Sequence, residues 1–177
     1  KRAIVLWRAA PRMDKVGHNY RWLWRLHWYR GETEEAARAE QTALATLEAV
    51  PPSAELAMAY STRSQIHFLN GRTGEAVEWG ERALALAKQF DDVATQVHAM
   101  TNIGSAMLFA NDASGKPFME ESLALARRHH LHEHAARVYT NFSEYAIFTR
   151  DFPLAEQLVS ERIAFDTRLT LDSWTYY

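Results

Sequence analysis

The sequence has no cysteine among its 177 residues, which excludes disulfides, thiolate metal clusters and a cysteine nucleophile. It also has no excess of charge of one sign, because 20 lysines and arginines face 22 aspartates and glutamates. A basic surface for nucleic acid is therefore not expected. No apolar run approaches the roughly 20 residues that cross a bilayer. These absences predict a cytoplasmic protein that contacts neither nucleic acid nor a membrane.

Glycine and proline are scarce as well, at 7 and 5 residues, and this scarcity favours helices over turn-rich β structure. No Asn-Gly or Asp-Gly turn joins two runs of alternating hydrophobicity, since the dipeptide Asn70-Gly71 separates two helical patterns. Hydrophobic residues make up 47% of the chain, enough for a continuous core. The sequence therefore predicts an ordered, all-α protein.

An internal repeat of 39 or 40 residues organises the predicted helices. The segments that recur at this spacing are 33–36 and 73–76, 83–87 and 122–126, and 101–104 and 140–143. The predicted helix-turn-helix units are 16–54, 55–94, 95–133 and 134–170. Residues 1–15 then form the tail of a preceding unit and residues 171–177 begin a further one. We therefore expect the chain to be a fragment of a longer protein.

The turns inside the units carry signals for the start of the second helix. Thr33 and Thr73 follow a glycine by two residues and are expected to cap the second helices of the first two units. Asp151 is expected to do the same in the fourth unit. The third unit has a longer, irregular turn that contains Ser114, Gly115 and Pro117.

Aromatic and small residues recur at fixed positions of the units. The aromatic residues near the start of the first helices are Tyr20, Tyr60 and Tyr139, the small residues farther along these helices are Ser64, Gly104 and Ser143, and the alanines seven apart in the second helices are Ala36 and Ala43, then Ala76 and Ala83. With these features the chain resembles the tetratricopeptide repeat (TPR) family. The resemblance implies a right-handed α-solenoid of about four TPR-like units with partial units at both ends. Because the period exceeds the family's usual length of about 34 residues, HEAT-like helix pairs are the alternative.

In TPR proteins the first helices line a concave groove that binds peptides or small ligands. The residues of this chain at the family's groove positions are Arg21, Trp22, Arg25, Thr62, Gln65, Asn102, Ser105, Arg137, Asn141 and Glu144. The resemblance thus implies a protein segment or a small effector as the partner, and scattered surface polarity is the alternative interpretation. The set lacks the lysine-asparagine pattern with which chaperone-binding members hold a terminal carboxylate. A chaperone adaptor is therefore not favoured.

Aromatic residues are concentrated in the first unit, at Tyr20, Trp22, Trp24, Trp28 and Tyr29. Helical spacing points these rings in different directions, so some of them belong to the core. The others either anchor a partner or form the seam against a preceding unit. We favour the seam.

Residues 83–88 at a helix end, and the pattern that begins at Asn102 and at Asn141, are similar to the helical-repeat region of large bacterial LuxR-type transcriptional regulators. Members of that family carry an upstream nucleotide-binding module and a downstream helix-turn-helix domain. The resemblance therefore implies a sensing region that acts on attached domains of the same longer chain. Similar arrays occur in bacterial kinases and cyclases, and a free-standing adaptor is a further alternative.

Catalytic motifs do not occur in the sequence, which has neither a G-x-x-x-x-G-K-[ST] phosphate loop nor a G-x-S-x-G nucleophile turn. Four of the eight histidines lie within residues 129–134. His130 and His134 have the four-residue spacing of metal ligands on one helix, but Ala136 stands where an H-E-x-x-H motif needs its second histidine. A solvated turn is the alternative, and we favour it. We predict a protein without catalytic activity and without a cofactor.

Overall fold

The computed structural model describes residues 2–169, and helices account for most of them. In chain order they are α1 (Arg2–Ala9), α2 (Met13–Tyr29), α3 (Thr33–Glu48), α4 (Ala54–Leu69), α5 (Thr73–Gln89), α6 (Val93–Phe109), α7 (Lys116–Arg128), α8 (His132–Phe148) and α9 (Phe152–Leu169). No strand occurs within the described range, and the all-α prediction is confirmed. None of these helices is both long and apolar enough to cross a membrane.

The helices pair along the chain as the repeat predicts. The pairs are α2 with α3, α4 with α5, α6 with α7, and α8 with α9. The first helices of neighbouring pairs also lie side by side, α2 against α4, α4 against α6 and α6 against α8. Because each pair packs on the next, the chain is an α-solenoid, as predicted. Its first helices form one continuous face.

The first helices of the four pairs begin at Met13, Ala54, Val93 and His132. These positions lie within three residues of the unit boundaries expected from the repeat. The segment 1–15, expected as the tail of a preceding unit, contains α1 and the first turn of α2. The segment 171–177, expected to begin a further unit, lies outside the described residues.

Small side chains allow the two helices of a pair to approach closely. Ala76 and Ala83 on α5 are fully buried, and the hydroxyl of Ser64 donates to the carbonyl oxygen of Ala76 at 2.6 Å. In the third pair, a Cβ atom added to Gly104 would lie only 2.9 Å from the carbonyl oxygen of Gly115. Larger side chains at these positions would push the helices apart. The small residues that recur in the sequence therefore lie where the paired helices approach closely.

The predicted caps of α3 and α5 are wrong. Thr33 and Thr73 are the first helical residues, and the cap positions belong to Glu32 and Arg72, whose side chains make no capping hydrogen bond. The reason lies in the preceding turn, where Gly71 takes a left-handed φ of 69° and the backbone N–H of Arg72 bonds back into α4. The turn therefore leaves no extra residue before α5, and the threonine enters the helix.

The other two turns agree with the sequence predictions. Asp151 accepts a hydrogen bond of 3.3 Å from the backbone N–H of Leu154 and so caps α9. In the third unit, Asp112 accepts a hydrogen bond of 2.9 Å from the backbone N–H of Ser114. A short 3-10 turn follows, and Pro117 lies in the first turn of α7, where its missing N–H costs nothing.

Candidate ligand-binding groove

The continuous face of the first helices encloses a cavity of about 430 Å³, which we call the groove. The residues that line it are Trp24, Arg25, Trp28, Tyr29, Gln65, Phe68, Leu69, Asn102, Glu133, Arg137, Thr140, Asn141 and Glu144. The predicted groove residues brought together here are Arg25, Gln65, Asn102, Arg137, Asn141 and Glu144. Each of α2, α4, α6 and α8 contributes at least one side chain. All four units therefore take part in this site.

The other four predicted residues lie elsewhere. Arg21 and Thr62 belong to a small cleft between α2, α3 and α4. Ser105 is buried and its hydroxyl accepts a hydrogen bond of 3.0 Å from the amide of Asn141, so it supports a groove residue without lining the groove itself. Trp22 is 45% exposed but is not part of the lining.

A buried polar cluster supports the groove from α4, α6 and α8. His98 is 5% exposed, and its Nδ1 lies 2.6 Å from the hydroxyl oxygen of Ser61. Arg137 donates from Nη1 to Nε2 of His98 at 2.7 Å. Because arginine can only donate, Nε2 accepts and the proton of a neutral His98 lies on Nδ1. Burial, and then the charge of Arg137, lower the pKa of His98 well below its ordinary value, so this histidine is neutral at physiological pH.

Two arginines reach the groove from distant units, Arg25 on α2 in the first and Arg137 on α8 in the fourth. Burial, and then the charge of Arg25, lower the pKa of Arg137 to about 10. Within residues 2–169, no carboxylate lies at ion-pairing distance from either guanidinium. Glu133 and Glu144 also line the groove, so its charged side chains balance in number. The two positive charges nevertheless have no direct counter-ion.

One side of the groove is an aromatic wall, made of Trp24, Trp28, Tyr29 and Phe68. The rings of Trp24 and Trp28 stack with centroids 6.3 Å apart, and Tyr29 meets Trp28 at 5.1 Å. Arg25 donates to the hydroxyl of Tyr29 at 3.2 Å. The interpretation of the exposed rings as a seam with a preceding unit is wrong for Trp28 and Tyr29. Their spacing of three and four residues from Arg25 is the signal that places them on the groove face of α2.

No protein-family model matches the chain, and no curated protein matches it either. Solved structures do match. Aspartyl phosphate phosphatase F from Bacillus subtilis is 11% identical and aligns over 89% of this chain and 42% of its own, with a TM-score of 0.72. BtubC (BKLC) from P. vanneervenii is 17% identical over 94% of this chain and 70% of its own, with a TM-score of 0.73. The apo form of RapI is 14% identical over 87% of this chain and 57% of its own, with a TM-score of 0.66.

The chain has a TPR-like helical repeat fold. The predicted resemblance to the TPR family is thus confirmed at the level of fold. Because these structures are 17% identical or less, they show the fold alone. The chain spans 42% of aspartyl phosphate phosphatase F and 57% of RapI, so each of those proteins has a large part with no counterpart in this alignment.

The candidate metal ligands His130 and His134 do not share a helical face. Helix α8 begins at His132, and His130 lies in the preceding turn with a left-handed φ of 56°. His134 packs its ring against His98, with centroids 6.1 Å apart, and burial lowers its pKa to about 4. Among residues 2–169, no three histidine, aspartate or glutamate side chains are grouped to hold a metal ion. The turn therefore separates the two histidines that a continuous helix would align.

Proposed function

We propose that the chain is a non-catalytic binding scaffold whose groove takes a protein segment or a small effector. The observation that carries the proposal is the groove itself, a cavity of about 430 Å³ with walls from every unit. Cavities of a few hundred Å³ with apolar walls and a few convergent polar groups are the usual form of ligand sites. A ligand in this position contacts α2, α4, α6 and α8 at once.

Polar side chains of the groove suit an extended peptide. The amide of Gln65 makes no hydrogen bond to another described residue, so both its donor and its acceptor are available. Asn141 lies one helical turn beyond Arg137 on the same face of α8. A peptide backbone offers donors and acceptors along its whole length. Such a groove can therefore hold a backbone while other contacts select the side chains.

The serine-histidine pair near the groove supports a non-catalytic role. A serine nucleophile needs a histidine that accepts its proton and a path for the substrate to its hydroxyl. Ser61 is fully buried, so a substrate has no access to its hydroxyl oxygen. In addition, Nδ1 of His98 carries the proton and donates to Ser61, because Nε2 accepts from Arg137. Through its bonds to Ser61 and Arg137, His98 instead links α6 to α4 and α8.

A peptide-display selection tests the proposal, with the whole chain as bait. Thr140 lines the groove, so Thr140→Trp fills it with a ring. Ser160→Trp, at an exposed position of α9, is the matched control. We expect selected peptides to bind the wild type and Ser160→Trp equally in fluorescence-anisotropy titrations and to lose at least about tenfold in affinity for Thr140→Trp. Equal binding to all three folded proteins would exclude the groove as the binding site.

We further propose that the array is the sensing region of a longer bacterial transcriptional regulator. The resemblance of residues 83–88, Asn102 and Asn141 to LuxR-type regulators supports this context. A ligand that contacts four units would stiffen the array, and the attached domains would receive that change. The test is the sequence of the gene on both sides of this segment, where we expect a nucleotide-binding and a helix-turn-helix region. A gene that encodes neither would favour a free-standing adaptor.

A further inference from the structure

The arginines of this protein point to the chemistry of the ligand, on the premise that the proposed binding function of the groove is right. The described arginines that are buried or half-buried are Arg21, Arg25, Arg63, Arg137 and Arg162. Two of them have built-in carboxylates, since Arg63 bonds Glu40 and Arg162 bonds Asp166. The other three lie in or beside the groove and have no carboxylate at ion-pairing distance within residues 2–169.

The groove arginines are held in place and act on one another. Arg137 is anchored by its bond to His98 at 2.7 Å, and Arg25 by its bond to Tyr29 at 3.2 Å. Burial, and then the charge of Arg25, lower the pKa of Arg137, while Glu133 raises it, so the positive charge of Arg25 disfavours that of Arg137. Each guanidinium keeps further N–H donors that make no hydrogen bond to another described residue. An anion that enters between Arg25 and Arg137 would relieve the repulsion and satisfy these donors.

The remaining charges of the groove favour an anion with a single negative charge. Glu133 and Glu144 line the same cavity as the two arginines. A phosphate group carries nearly two negative charges and would meet repulsion from both glutamates. A carboxylate carries one charge and fits the planar fork of arginine with two parallel hydrogen bonds. Charge complementarity therefore favours a carboxylate.

The aromatic wall adds an apolar subsite beside this anion subsite. Trp28 and Tyr29 are 47% and 63% exposed, and Leu69 continues their apolar surface on α4. Exposed tryptophan and tyrosine next to an arginine are typical of binding hot spots. We infer that the ligand is a peptide segment that places an acidic side chain between Arg25 and Arg137 and a bulky apolar side chain against the aromatic wall.

Matched sets of short peptides, acetylated and amidated at their ends, test this inference by fluorescence anisotropy with the whole chain. The first set combines glutamate and phenylalanine at every spacing up to about four residues. The matched sets replace the glutamate by glutamine or the phenylalanine by alanine. We expect the best peptide of the first set to bind at least about tenfold more tightly than either replacement.

Three variants assign the preference to the two arginines. Arg25→Gln and Arg137→Gln should each remove the preference for glutamate over glutamine. Arg38→Gln, at an exposed position of α3, should keep it. Circular dichroism establishes that each variant is folded. If Arg137→Gln fails to fold, Arg25→Gln decides, because the hydrogen bond from Arg25 stays within the exposed part of α2.

Failure of the inference and failure of the proposed function give different results. If display-selected peptides lose affinity for Thr140→Trp but no peptide prefers glutamate over glutamine, the binding function stands and the acidic ligand is excluded. Tighter binding of a peptide with phosphoserine in place of glutamate, or binding that requires a free C-terminal carboxylate, also overturns the inference. If no peptide distinguishes Thr140→Trp from Ser160→Trp, the proposed function itself fails.

Discussion

Two half-buried arginines, Arg63 and Arg137, are held in opposite ways. Arg63 on α4 donates to both carboxylate oxygens of Glu40, at 2.7 and 2.8 Å, and lies 5.0 Å from the ring of Trp79. Arg137 on α8 donates to a ring nitrogen of His98 at 2.7 Å and has no carboxylate partner in the described part of the chain. The hydrogen bonds that Arg63 donates to Glu40 raise the pKa of Arg63, whereas burial lowers the pKa of Arg137. The charge of Arg63 is paired directly with a carboxylate, whereas that of Arg137 has no described carboxylate at ion-pairing distance.

The difference separates a residue of the fold from a residue of the site. Arg63 joins α4 to α3, so its counter-ion is part of the array. Arg137 lies on the groove face, where Glu133 and Glu144 also lie but no described carboxylate is at ion-pairing distance, so an incoming ligand can supply a direct partner. A buried charge usually has a partner of opposite charge, and proteins depart from this rule mainly at functional sites. The contrast therefore predicts different changes in the free energy of unfolding for variants at the contact between α3 and α4 and for variants at the groove.

The largest expected effect is that of Arg63→Ala. This change leaves Glu40 as a largely buried carboxylate without its partner and removes the contact with Trp79, so the free energy of unfolding should fall by about 3 kcal/mol. Urea denaturation measures the change. Arg38→Ala is the matched control, because Arg38 pairs with Glu35 at 2.8 Å on an exposed surface and such pairs contribute less than about 1 kcal/mol. Equal losses for the two variants would contradict the structural role of Arg63.

His134, a histidine near the groove, is expected to make the stability of the folded chain sensitive to acid, which is not expected of the contact between Arg63 and Glu40. Burial, and then the charge of Arg137, lower the pKa of His134 from 6.5 to about 4. Below about pH 6.5 the unfolded chain binds a proton that the folded chain does not bind until about pH 4, so the free energy of unfolding falls across this window. The pKa of His98 is also lowered, chiefly by burial, so this histidine adds to the loss of stability in acid. After allowance for partial exposure, the loss from His134 alone is about 2 kcal/mol.

Urea denaturation at about pH 7 and about pH 4.5 measures this acid sensitivity. The side chain of Gln in the His134→Gln variant cannot take up the proton. Between the two pH values, the free energy of unfolding of this variant should therefore fall by about 2 kcal/mol less than that of the wild type. His129→Gln changes an exposed histidine at the end of α7 and serves as the control. If His134→Gln and the wild type lose the same stability in acid, the buried histidine is not the cause.

The sequence predicts the repeat, and the helix face on which a side chain lies, better than it predicts how deeply that side chain is buried. Small residues such as Ser64 and Gly104 mark the close helix pairs, because nothing larger fits there. Thr62 and Ser105 also occupy groove positions of the repeat, yet they are 2% and 1% exposed. Ser105 contacts the neighbouring first helix through the bond from Asn141, and Thr62 lies in the cleft that α2, α3 and α4 form. Periodicity gives the direction of a side chain, but the packing of neighbouring helices decides whether it reaches the groove.

The charge state of the groove is a second property that the sequence does not predict. Burial, and then the charge of Arg137, keep His98 neutral, and its ring lies in hydrogen-bonding contact with Ser61 from the second unit and Arg137 from the fourth. Those residues lie 37 and 39 positions away, and only the stacking of the units brings them together. Likewise, the histidine spacing at His130 and His134 predicts a shared face only if a helix is continuous there, and α8 begins after His130.

The smallest expected effect is that of Arg137→Met on the ligand-free chain. Whereas Arg63→Ala should destabilise the fold strongly, Arg137→Met should hardly change its stability. The change removes a buried charge that has no described carboxylate at ion-pairing distance, which stabilises the folded state. It also leaves Nε2 of His98 without its donor, which destabilises by about 1 to 3 kcal/mol. Because the two terms oppose each other, we expect the free energy of unfolding to change by less than about 1 kcal/mol, measured by urea denaturation beside the wild type.

The same measurement with a saturating groove-binding peptide sharpens the contrast. A ligand that binds only the folded state adds its binding free energy to stability, so the wild type should gain and Arg137→Met should gain much less. Arg63→Ala keeps the groove intact and should gain as much as the wild type. If Arg137→Met instead loses about 3 kcal/mol without peptide, Arg137 holds the fold together as Arg63 does, and its charge is already compensated in the free protein.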